Sequence, residues 1–201
     1  MKPGAHIVET QLSERLGISR GTLREALRSI EIEGLVENDG RGHMMVRQLS
    51  SQQIADVFEV RTALEILAAS KLAESDRRDE FADALEEALR PLEKEDLPFG
   101  ERIETDLAFH ALICELTGNE TLMASWSHLM GQIRMMIIAA GPDRAAGRMV
   151  YGDHVPIAAA VRSGDRAEVR RVLSEHMADF AGRYVGDAEL KEQAGESAHP
   201  A

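Results

Sequence analysis

The sequence predicts a mainly α-helical protein, with an N-terminal winged helix-turn-helix followed by an antiparallel bundle of about six helices. Leu, Ala, Glu and Arg are frequent and aromatic residues make up only 4%, as is typical of helical proteins. Gly and Pro fall between segments of helical apolar periodicity. The net charge of -12 is also uneven, because residues 1–49 are neutral and the rest of the chain carries all of it. We therefore divide the chain into domains 1–49 and 50–186 and a disordered tail, 187–201.

Composition also excludes several classes of protein. The chain has no run of 18 apolar residues, so no membrane partner is expected. Its first residues, MKPGAHIVETQ, lack the apolar stretch of a signal peptide. Cys114 is the single cysteine, so the chain has no internal disulfide, and a reducing cytoplasm is the expected location.

The first fifty residues predict two short helices joined by a tight turn. Val8, Leu12 and Leu16 recur at spacing four, and Gly17 follows as a helix stop. Ser19 is placed to cap a second helix, RGTLREALRSIEIEG. Two helices joined through such a turn form a helix-turn-helix, whose second helix enters the major groove of DNA.

Cations cluster on this second helix and on the segment after it. Arg20, Arg24 and Arg28 lie side by side, next to the apolar face of the helix. The sequence LVENDGRGHMMV then predicts a β-hairpin with Arg41 and His43 at its tip. Three arginines at helical spacing are also compatible with a plain solvated face. Together with the cap and the basic hairpin, however, they indicate a DNA-binding domain with a wing.

The stretch LSERLGISRGTLREALRSIEIEGLVENDGRGHMMV closely resembles the winged helix of GntR-type bacterial regulators. The resemblance implies a homodimer that binds double-stranded operator DNA. It assigns DNA contacts to seven residues: Arg20, Thr22, Arg24, Arg28, Arg41, Gly42 and His43. Family members have another helix before the Pro3-Gly4 pair, and this helix completes the winged-helix core. We therefore expect Met1 to be a misassigned or truncated start, which mass spectrometry of the native N-terminus would test.

Beyond a short polar linker, periodicity predicts six helices. The expected spans are about 51–75, 77–94, 100–117, 119–140, 147–162 and 165–185. Ser50 or Ser51 caps the first, and Pro91 should kink or shorten the second. Residues 187–201 have no periodicity and are expected to be disordered. Short connections between these helices are typical of a bundle.

Three of these helices turn titratable groups toward their apolar sides. Asp106 and His110 share one face of the third helix, His154 lies among apolar residues on the fifth and His176 on the sixth. One inward histidine is most often an ordinary core residue. A buried carboxylate without a partner is strongly unfavourable, however, so four such groups are better explained by a shared metal ion. On spacing alone the two interpretations remain equally open.

The segments ETDLAFHALICELTGNETL, DHVPIAAAVRSGD and VLSEHM resemble, in order, motifs of the FCD ligand-binding domain of FadR-type GntR regulators. The expected six helices suggest the VanR-like subgroup. The resemblance implies that Asp106, His110, His154 and His176 bind a divalent metal. We expect zinc, with nickel, manganese or iron as alternatives. The family pattern VRxxLE recurs at residues 60–65 and implies that Arg61 binds the carboxylate of an effector.

The sequence therefore predicts a ligand-responsive transcription regulator, a repressor by expectation, that binds a metal ion and a small organic acid. Arg134 is a second candidate for the effector, although a plain surface position explains it equally well. Two alternatives remain. The metal could activate water in a hydrolase-like enzyme, but the sequence offers no clear general base. The metal could also be purely structural. Neither the effector nor the operator can be identified from the residues.

Overall fold

The computed structural model describes residues 1, 3–32, 34–145, 147 and 149–197. Its first two helices are short: α1 (Glu9–Leu16) and α2 (Arg20–Ile32). Gly17 ends α1 with a left-handed φ of 65°, which a residue without a Cβ adopts at little cost. The hydroxyl of Ser19 accepts the Thr22 N–H at 3.1 Å. The predicted helix stop and helix cap are both confirmed.

The wing is a two-stranded antiparallel hairpin. Its strands are β1 (Val36–Asn38) and β2 (Met44–Val46), paired so that Val36 lies opposite Val46. Residues 4–7 run along the outer side of β2, which the sequence did not predict. The Ile7 N–H donates to the Met44 carbonyl at 2.8 Å. This places Ile7 in a small core of four buried residues: Ile7, Leu23, Leu27 and Val36.

The rest of the described chain is a helical bundle. Its helices are α3 (Ser51–Ala73), α4 (Arg78–Leu89), α5 (Phe99–Glu115), α6 (Glu120–Ala140), the short α7 (Pro142–Ala145), α8 (Tyr151–Ser163) and α9 (Arg166–Ser197). The long helix α3 packs along α9, while α8 packs against α4 and α9. Helix α5 packs against α3, α4 and α6. The interior of the bundle therefore receives side chains from α5, α8 and α9 together.

The starts and stops of the bundle helices follow their capping residues. Ser50 forms a reciprocal capping box with Gln53 at the start of α3, as one of the two predicted alternatives. Pro91 shortens α4 as predicted, since the helix ends at Leu89 and a 3₁₀ turn follows at Arg90–Glu93. The mainly helical fold, with an N-terminal helix-turn-helix and a C-terminal bundle, is confirmed.

Two predicted spans differ from the structure. The fifth helix was expected from residue 147, but α8 begins at Tyr151, after a separate short turn of helix at Pro142–Ala145. The sixth helix was expected to end at about residue 185, but α9 continues to Ser197, so residues 187–197 of the predicted tail belong to this helix. Ala, Leu, Glu, Lys and Gln in this segment favour helix without an apolar stripe. Residues 198–201 lie outside the described part.

Among the described residues, no helix combines the length and the apolar character that crossing a membrane requires.

Candidate metal centre and DNA interface

Helix α5 carries an acid and an imidazole into the bundle interior. Asp106 and His110 lie one turn apart and both side chains are fully buried, with 0% exposure. Ile103, Leu107 and Ile113 on the same helix are buried with them. The polar pair is therefore fixed within a packed apolar core, where each unpaired charge or lone pair is costly.

Two later helices bring the other histidines to the same place. His154 on α8 is fully buried, and His176 on α9 is half-buried. His110, His154 and His176 each offer a ring nitrogen, and these three atoms lie within 4.8 Å of one another. A single divalent ion could therefore be shared by imidazoles from three helices. The predicted convergence of α5, α8 and α9 is what the structure shows.

Asp106 joins this cluster through His154. Its Oδ1 atom lies 2.9 Å from His154 Nε2, yet the two atoms do not meet hydrogen-bond geometry. Both Asp106 oxygens, His154 Nε2 and His110 Nε2 are buried without a hydrogen-bond partner. Two donor atoms bound about 2.1 Å from one ion at a right angle lie about 3 Å apart. The spacing and the unsatisfied atoms therefore both fit a metal ion.

The second nitrogen of two of these rings is already engaged. His154 Nδ1 donates to the Val150 carbonyl at 2.9 Å, and His110 Nδ1 lies 2.6 Å from Glu65 Oε2. A proton held at Nδ1 leaves Nε2 with a free lone pair. This arrangement is what orients histidine ligands at metal sites. In both residues the free nitrogen is the one without a hydrogen-bond partner.

Glu65 on α3 is a site residue that sequence reasoning missed. It is fully buried and also accepts hydrogen bonds from Arg61 Nε at 2.8 Å and from Trp126 Nε1 at 3.0 Å. It therefore connects α3, α5 and α6 beneath the histidines. The signal was its place four residues after Arg61, within the apolar face of α3. Its partners lie 45 and 61 residues away in the chain, so periodicity could not identify them.

The electrostatics of the cluster favour a positive charge at its centre. Burial would raise the pKa of Glu65, but His110 and Arg61 lower it to about 2. Burial would also raise the pKa of Asp106, but the contact with His154 outweighs this effect and lowers the pKa. Burial lowers the pKa of His110 and lowers that of His176 well below its usual value. These directions favour ionised Glu65 and Asp106 and neutral His110 and His176, which are the forms that bind a metal.

His154 differs from the other two histidines. Burial would lower its pKa, but Asp106 more than compensates and raises it. The space between His154 Nε2 and Asp106 Oδ1 therefore favours a cation. A proton or a metal ion can supply that charge.

A surface groove reaches the cluster beside His176. It lies between α8 and α9, has a volume of about 520 Å³, and includes Pro156, Val172 and Phe180 in its walls. His176 is the one metal-ligand candidate that lines it. A small molecule in this groove would approach the cluster from the side of α9.

The two arginines predicted to meet an effector lie in different settings. Arg61 is 1% exposed, pairs with Glu65 through Nε, and keeps a buried NH2 group without a hydrogen-bond partner. Arg134 instead makes a two-point ion pair with Glu104, at 2.8 and 2.7 Å, and is 36% exposed. The structure brings Arg61 to the Glu65 and His110 network, whereas Arg134 is engaged at the surface.

On α2 the predicted DNA-contacting arginines are exposed. Their side chains are 60% accessible for Arg20, 58% for Arg24 and 71% for Arg28. Glu9 on α1 accepts a hydrogen bond from Arg24 at 2.8 Å and so orients this side chain. Thr22 shares a hydrogen bond with the capping Ser19 at 2.9 Å. The helix buries Leu23 and Leu27 and presents its cations to solvent.

The wing tip is organised by Asn38 and Asp39. The Asp39 carboxylate accepts the backbone N–H groups of Arg41 at 2.8 Å and His43 at 3.0 Å. These bonds lower the pKa of Asp39. Gly42 has a φ of 89°, a conformation that side-chain-bearing residues rarely adopt. The loop therefore holds Arg41 and His43 exposed at the tip, beside a glycine that lets a DNA backbone approach.

Both halves of the chain match known families. Residues 56–179 match the FCD domain, and residues 1–46 match the bacterial regulatory proteins of the gntR family. The chain belongs to the GntR family. It is a DNA-binding transcription regulator with an FCD domain, as the resemblance implied. GntR regulators bind operator DNA and FCD domains bind small-molecule effectors.

Two relatives of this chain are regulators of operons. The Nta operon transcriptional regulator of Aminobacter aminovorans is 28% identical over 176 residues, 88% of this chain and 82% of the relative. A probable D-xylose utilization operon transcriptional repressor of Paenarthrobacter nicotinovorans is 25% identical over 180 residues, 88% of this chain and 78% of the relative. These proteins are regulators rather than enzymes, which removes the hydrolase alternative.

A solved structure shows the same fold. The putative transcriptional regulator GntR from Rhodococcus sp. RHA1 superposes with a TM-score of 0.72 at 21% identity. The match covers 92% of this chain and 89% of the other. The order of a winged helix followed by a helical bundle is therefore shared.

Proposed function

We propose that this GntR-family protein is a repressor whose FCD domain holds a divalent metal and a small organic acid. The observation that carries the proposal is the group of lone-pair atoms from Asp106, His110 and His154, buried without hydrogen-bond partners, beside His176. Such atoms are costly in a core unless a cation binds them. Asp106, His110, His154 and His176 would hold the metal.

Zinc is the first candidate for this metal, since imidazole and carboxylate ligands suit it, and nickel, manganese and iron bind the same atoms. When bound, the metal supplies Lewis acidity and open coordination positions for an oxygen ligand. The chain supplies the orientation, because Glu65 and Val150 each hold the outer nitrogen of a histidine. The packed core shields Asp106, His110 and His154 from solvent, while His176 lines the groove.

A small organic acid is the effector that these residues fit best. The NH2 group of Arg61 is buried and unpaired, and a guanidinium donates strong charge-assisted hydrogen bonds to a carboxylate. The groove beside His176 gives such a molecule a route to the cluster. An acid bound in this groove would contact α8 and α9, and one that reached Arg61 would also contact α3, so it could select one arrangement of the bundle over another.

The experiment is a metal analysis combined with a thermal-shift screen. Purified protein should bind one zinc ion per chain, and an organic acid effector should raise the melting temperature only of the metal-loaded form. His110→Ala should abolish stoichiometric metal binding. His128→Ala, at an exposed position on α6, is the matched control and should bind normally. Unchanged metal content in the His110 variant would contradict the proposal.

For DNA binding we propose a homodimer on a pseudo-palindromic operator. Two recognition helices in a symmetric dimer read half-sites about 34 Å apart, one turn of DNA. Arg20, Thr22, Arg24 and Arg28 would enter the groove, and the wing residues Arg41, Gly42 and His43 would contact the backbone. A mobility shift with promoter DNA of neighbouring genes tests this at moderate salt. Absence of binding by the dimer would refute it.

A further inference from the structure

Two glycines meet at the junction between the winged helix and the bundle. Gly34 lies between α2 and β1, and Gly131 lies in the middle of α6. A Cβ added to Gly131 would lie 3.1 Å from a methyl of Leu35, and one added to Gly34 would lie 3.1 Å from the amide nitrogen of Gln132. Leu35, which follows Gly34 in the sequence, therefore packs at Gly131. Gln132, which follows Gly131, packs at Gly34.

Gly131 is present for this contact and not for a turn. Its φ is not positive, so any residue could adopt its backbone conformation. A glycine inside a helix costs about 0.5 to 1 kcal/mol relative to alanine. On its open face the Leu35 side chain fills the space, with three atoms at 3.1 to 3.5 Å from a Cβ position. The close approach of the winged helix to α6 therefore explains why a glycine occupies position 131.

The same helix is attached to the histidine cluster. Trp126 lies five residues before Gly131, about 7.5 Å along the helix. Its indole N–H donates to Glu65, which in turn holds His110. Leu35 is fixed within the winged helix, because its N–H donates to Ile30 at 2.9 Å and its carbonyl accepts from Arg47 at 3.0 Å. Two positions on α6, five residues apart, thus contact the two functional regions.

We infer that the contact of Gly131 with Leu35 seats the DNA-reading domain on the bundle, and that α6 carries changes at the histidine cluster to the winged helix through it. This inference rests on the metal site of the proposed function. A shift of Glu65 would move Trp126 along with α6, and Leu35 would follow because its side chain occupies the space where a Cβ of residue 131 would lie. Gly131 and Leu35 are positioning residues, because they act on DNA through the placement of α2 and the wing.

The test uses two probes on the full chain, with zinc chloride as the ligand. Trp126 is the single tryptophan, so its fluorescence reports the histidine cluster. Hydrogen exchange of the Leu35 and Arg47 amides, which are both hydrogen-bonded, reports the seat of the winged helix. In the natural protein, zinc should change the fluorescence and also change the exchange rates of both amides several-fold.

Two variants disturb the joint in opposite ways. Gly131→Ala adds a methyl group where Leu35 packs, and Leu35→Ala empties the space. Both should keep the zinc midpoint seen by Trp126 but lose the zinc-dependent change in exchange. Gly182→Ala is the matched control, since Gly182 also lies inside a helix but a Cβ there meets nothing within 4 Å. It should behave like the natural protein.

The outcomes separate the two proposals. If Trp126 responds to zinc but the two amides do not, or if both variants keep the change in exchange, the inference is wrong and the metal site stands. If no zinc binds to the natural protein, the metal site itself fails, and the inference fails with it.

Discussion

At the residue scale, the histidine cluster is defined by buried nitrogen and oxygen atoms that lack a hydrogen-bond partner. Hydrogen bonds to Glu65 and Val150 fix the outer nitrogens of His110 and His154. The inner nitrogens and the Asp106 carboxylate are then left buried without a hydrogen-bond partner. Such a set is costly in a core unless a cation joins it, so Glu65 would determine the affinity for the proposed metal although it is not a ligand.

Glu65→Gln should weaken zinc binding. The amide keeps the volume but loses the charge that holds His110 Nδ1–H, and removing such a partner typically lowers metal affinity by about 10- to 100-fold. Competition with a chelating dye measures the affinity.

The variant should also melt at a lower temperature, because it leaves the buried guanidinium of Arg61 unpaired, at a cost of about 3 to 5 kcal/mol. Glu104→Gln, at a 60% exposed side chain, should leave zinc affinity unchanged. Equal affinity in both variants would show that Glu65 does not orient His110.

The hydrogen bonds that Asp39 accepts at the wing tip should be lost only at acid pH. Backbone hydrogen bonds from His43 and Arg41 lower the pKa of Asp39 below its ordinary 3.8. A lowered pKa means that the ordering is fully present above the unfolded value and is lost only as the pH falls through the lower one. The amide chemical shift of Arg41 should therefore show an acid transition only below the ordinary pKa of an aspartate, about 4. An acid transition of the same size in the Asp39→Asn variant would contradict this assignment.

At the scale of elements, local chemistry in the sequence predicts where helices start and stop. Ser19, Ser50 and Pro91 act within a few residues of their own positions, so their effects were predictable. The apolar periodicity of α5 also placed Asp106 and His110 on the inner face. The strand-like segment at Ile7 was not predicted, because it depends on pairing with β2, almost forty residues later.

The same reasoning explains what was missed at the site. Periodicity shows that a residue faces inward but does not show what it meets there. Glu65, Trp126 and Gly131 all lie on predicted helices, yet their roles come from contacts with distant segments. Apolar periodicity identified the four metal candidates as inward-facing groups, and the resemblance to FCD motifs assigned them to a metal. The groups that orient and connect them required the packed bundle.

Within the recognition helix, Arg24 and Arg28 should have different roles. The N-terminal part of such a helix contacts base edges, and later residues contact phosphates. Arg24→Ala should therefore relax sequence specificity, at about 1 to 3 kcal/mol for the base it reads. Arg28→Ala should weaken binding to all sequences and reduce the salt slope of log K by about 1. Mobility shifts on matched and scrambled operators across a salt series separate the two.

A bundle arginine provides the control for this pair. Arg90→Ala removes an equally exposed cation, 69% accessible, from the surface of the other domain. Its DNA affinity and salt slope should match those of the natural protein. If the Arg24 variant keeps full specificity, the register of the helix in the groove differs from the one proposed.

At the scale of the whole molecule, metal removal distinguishes a purely structural metal from one that binds effector. Chelation should lower the melting temperature in either case, by about 2 to 4 °C for each kcal/mol in a chain of this size. Only if the effector binds the metal should chelation also abolish effector binding. Calorimetry with the acid found in the thermal-shift screen, before and after chelation, measures this. Unchanged effector affinity without metal would support the structural alternative.

The homodimer proposed for DNA binding requires a surface that would join two copies of the chain. Val60 and Leu67 lie two turns apart on α3 and are 49% and 48% exposed, with the exposed Ala63 between them. Large apolar side chains aligned along one helix face are typical of a surface that another chain covers. We expect α3 to pair with α3 of a second copy, because a symmetric dimer uses the same face twice.

Leu67→Lys would place two like charges near the axis of that dimer. The variant should shift the protein from dimer to monomer in analytical ultracentrifugation. Its affinity for a full operator should fall toward that for a half-site, because the two heads no longer bind as one unit. Ile138→Lys adds the same charge at a comparably exposed position on α6, 56% accessible, and should remain dimeric. A dimeric Leu67 variant beside a monomeric Ile138 variant would move the interface from α3 to α6.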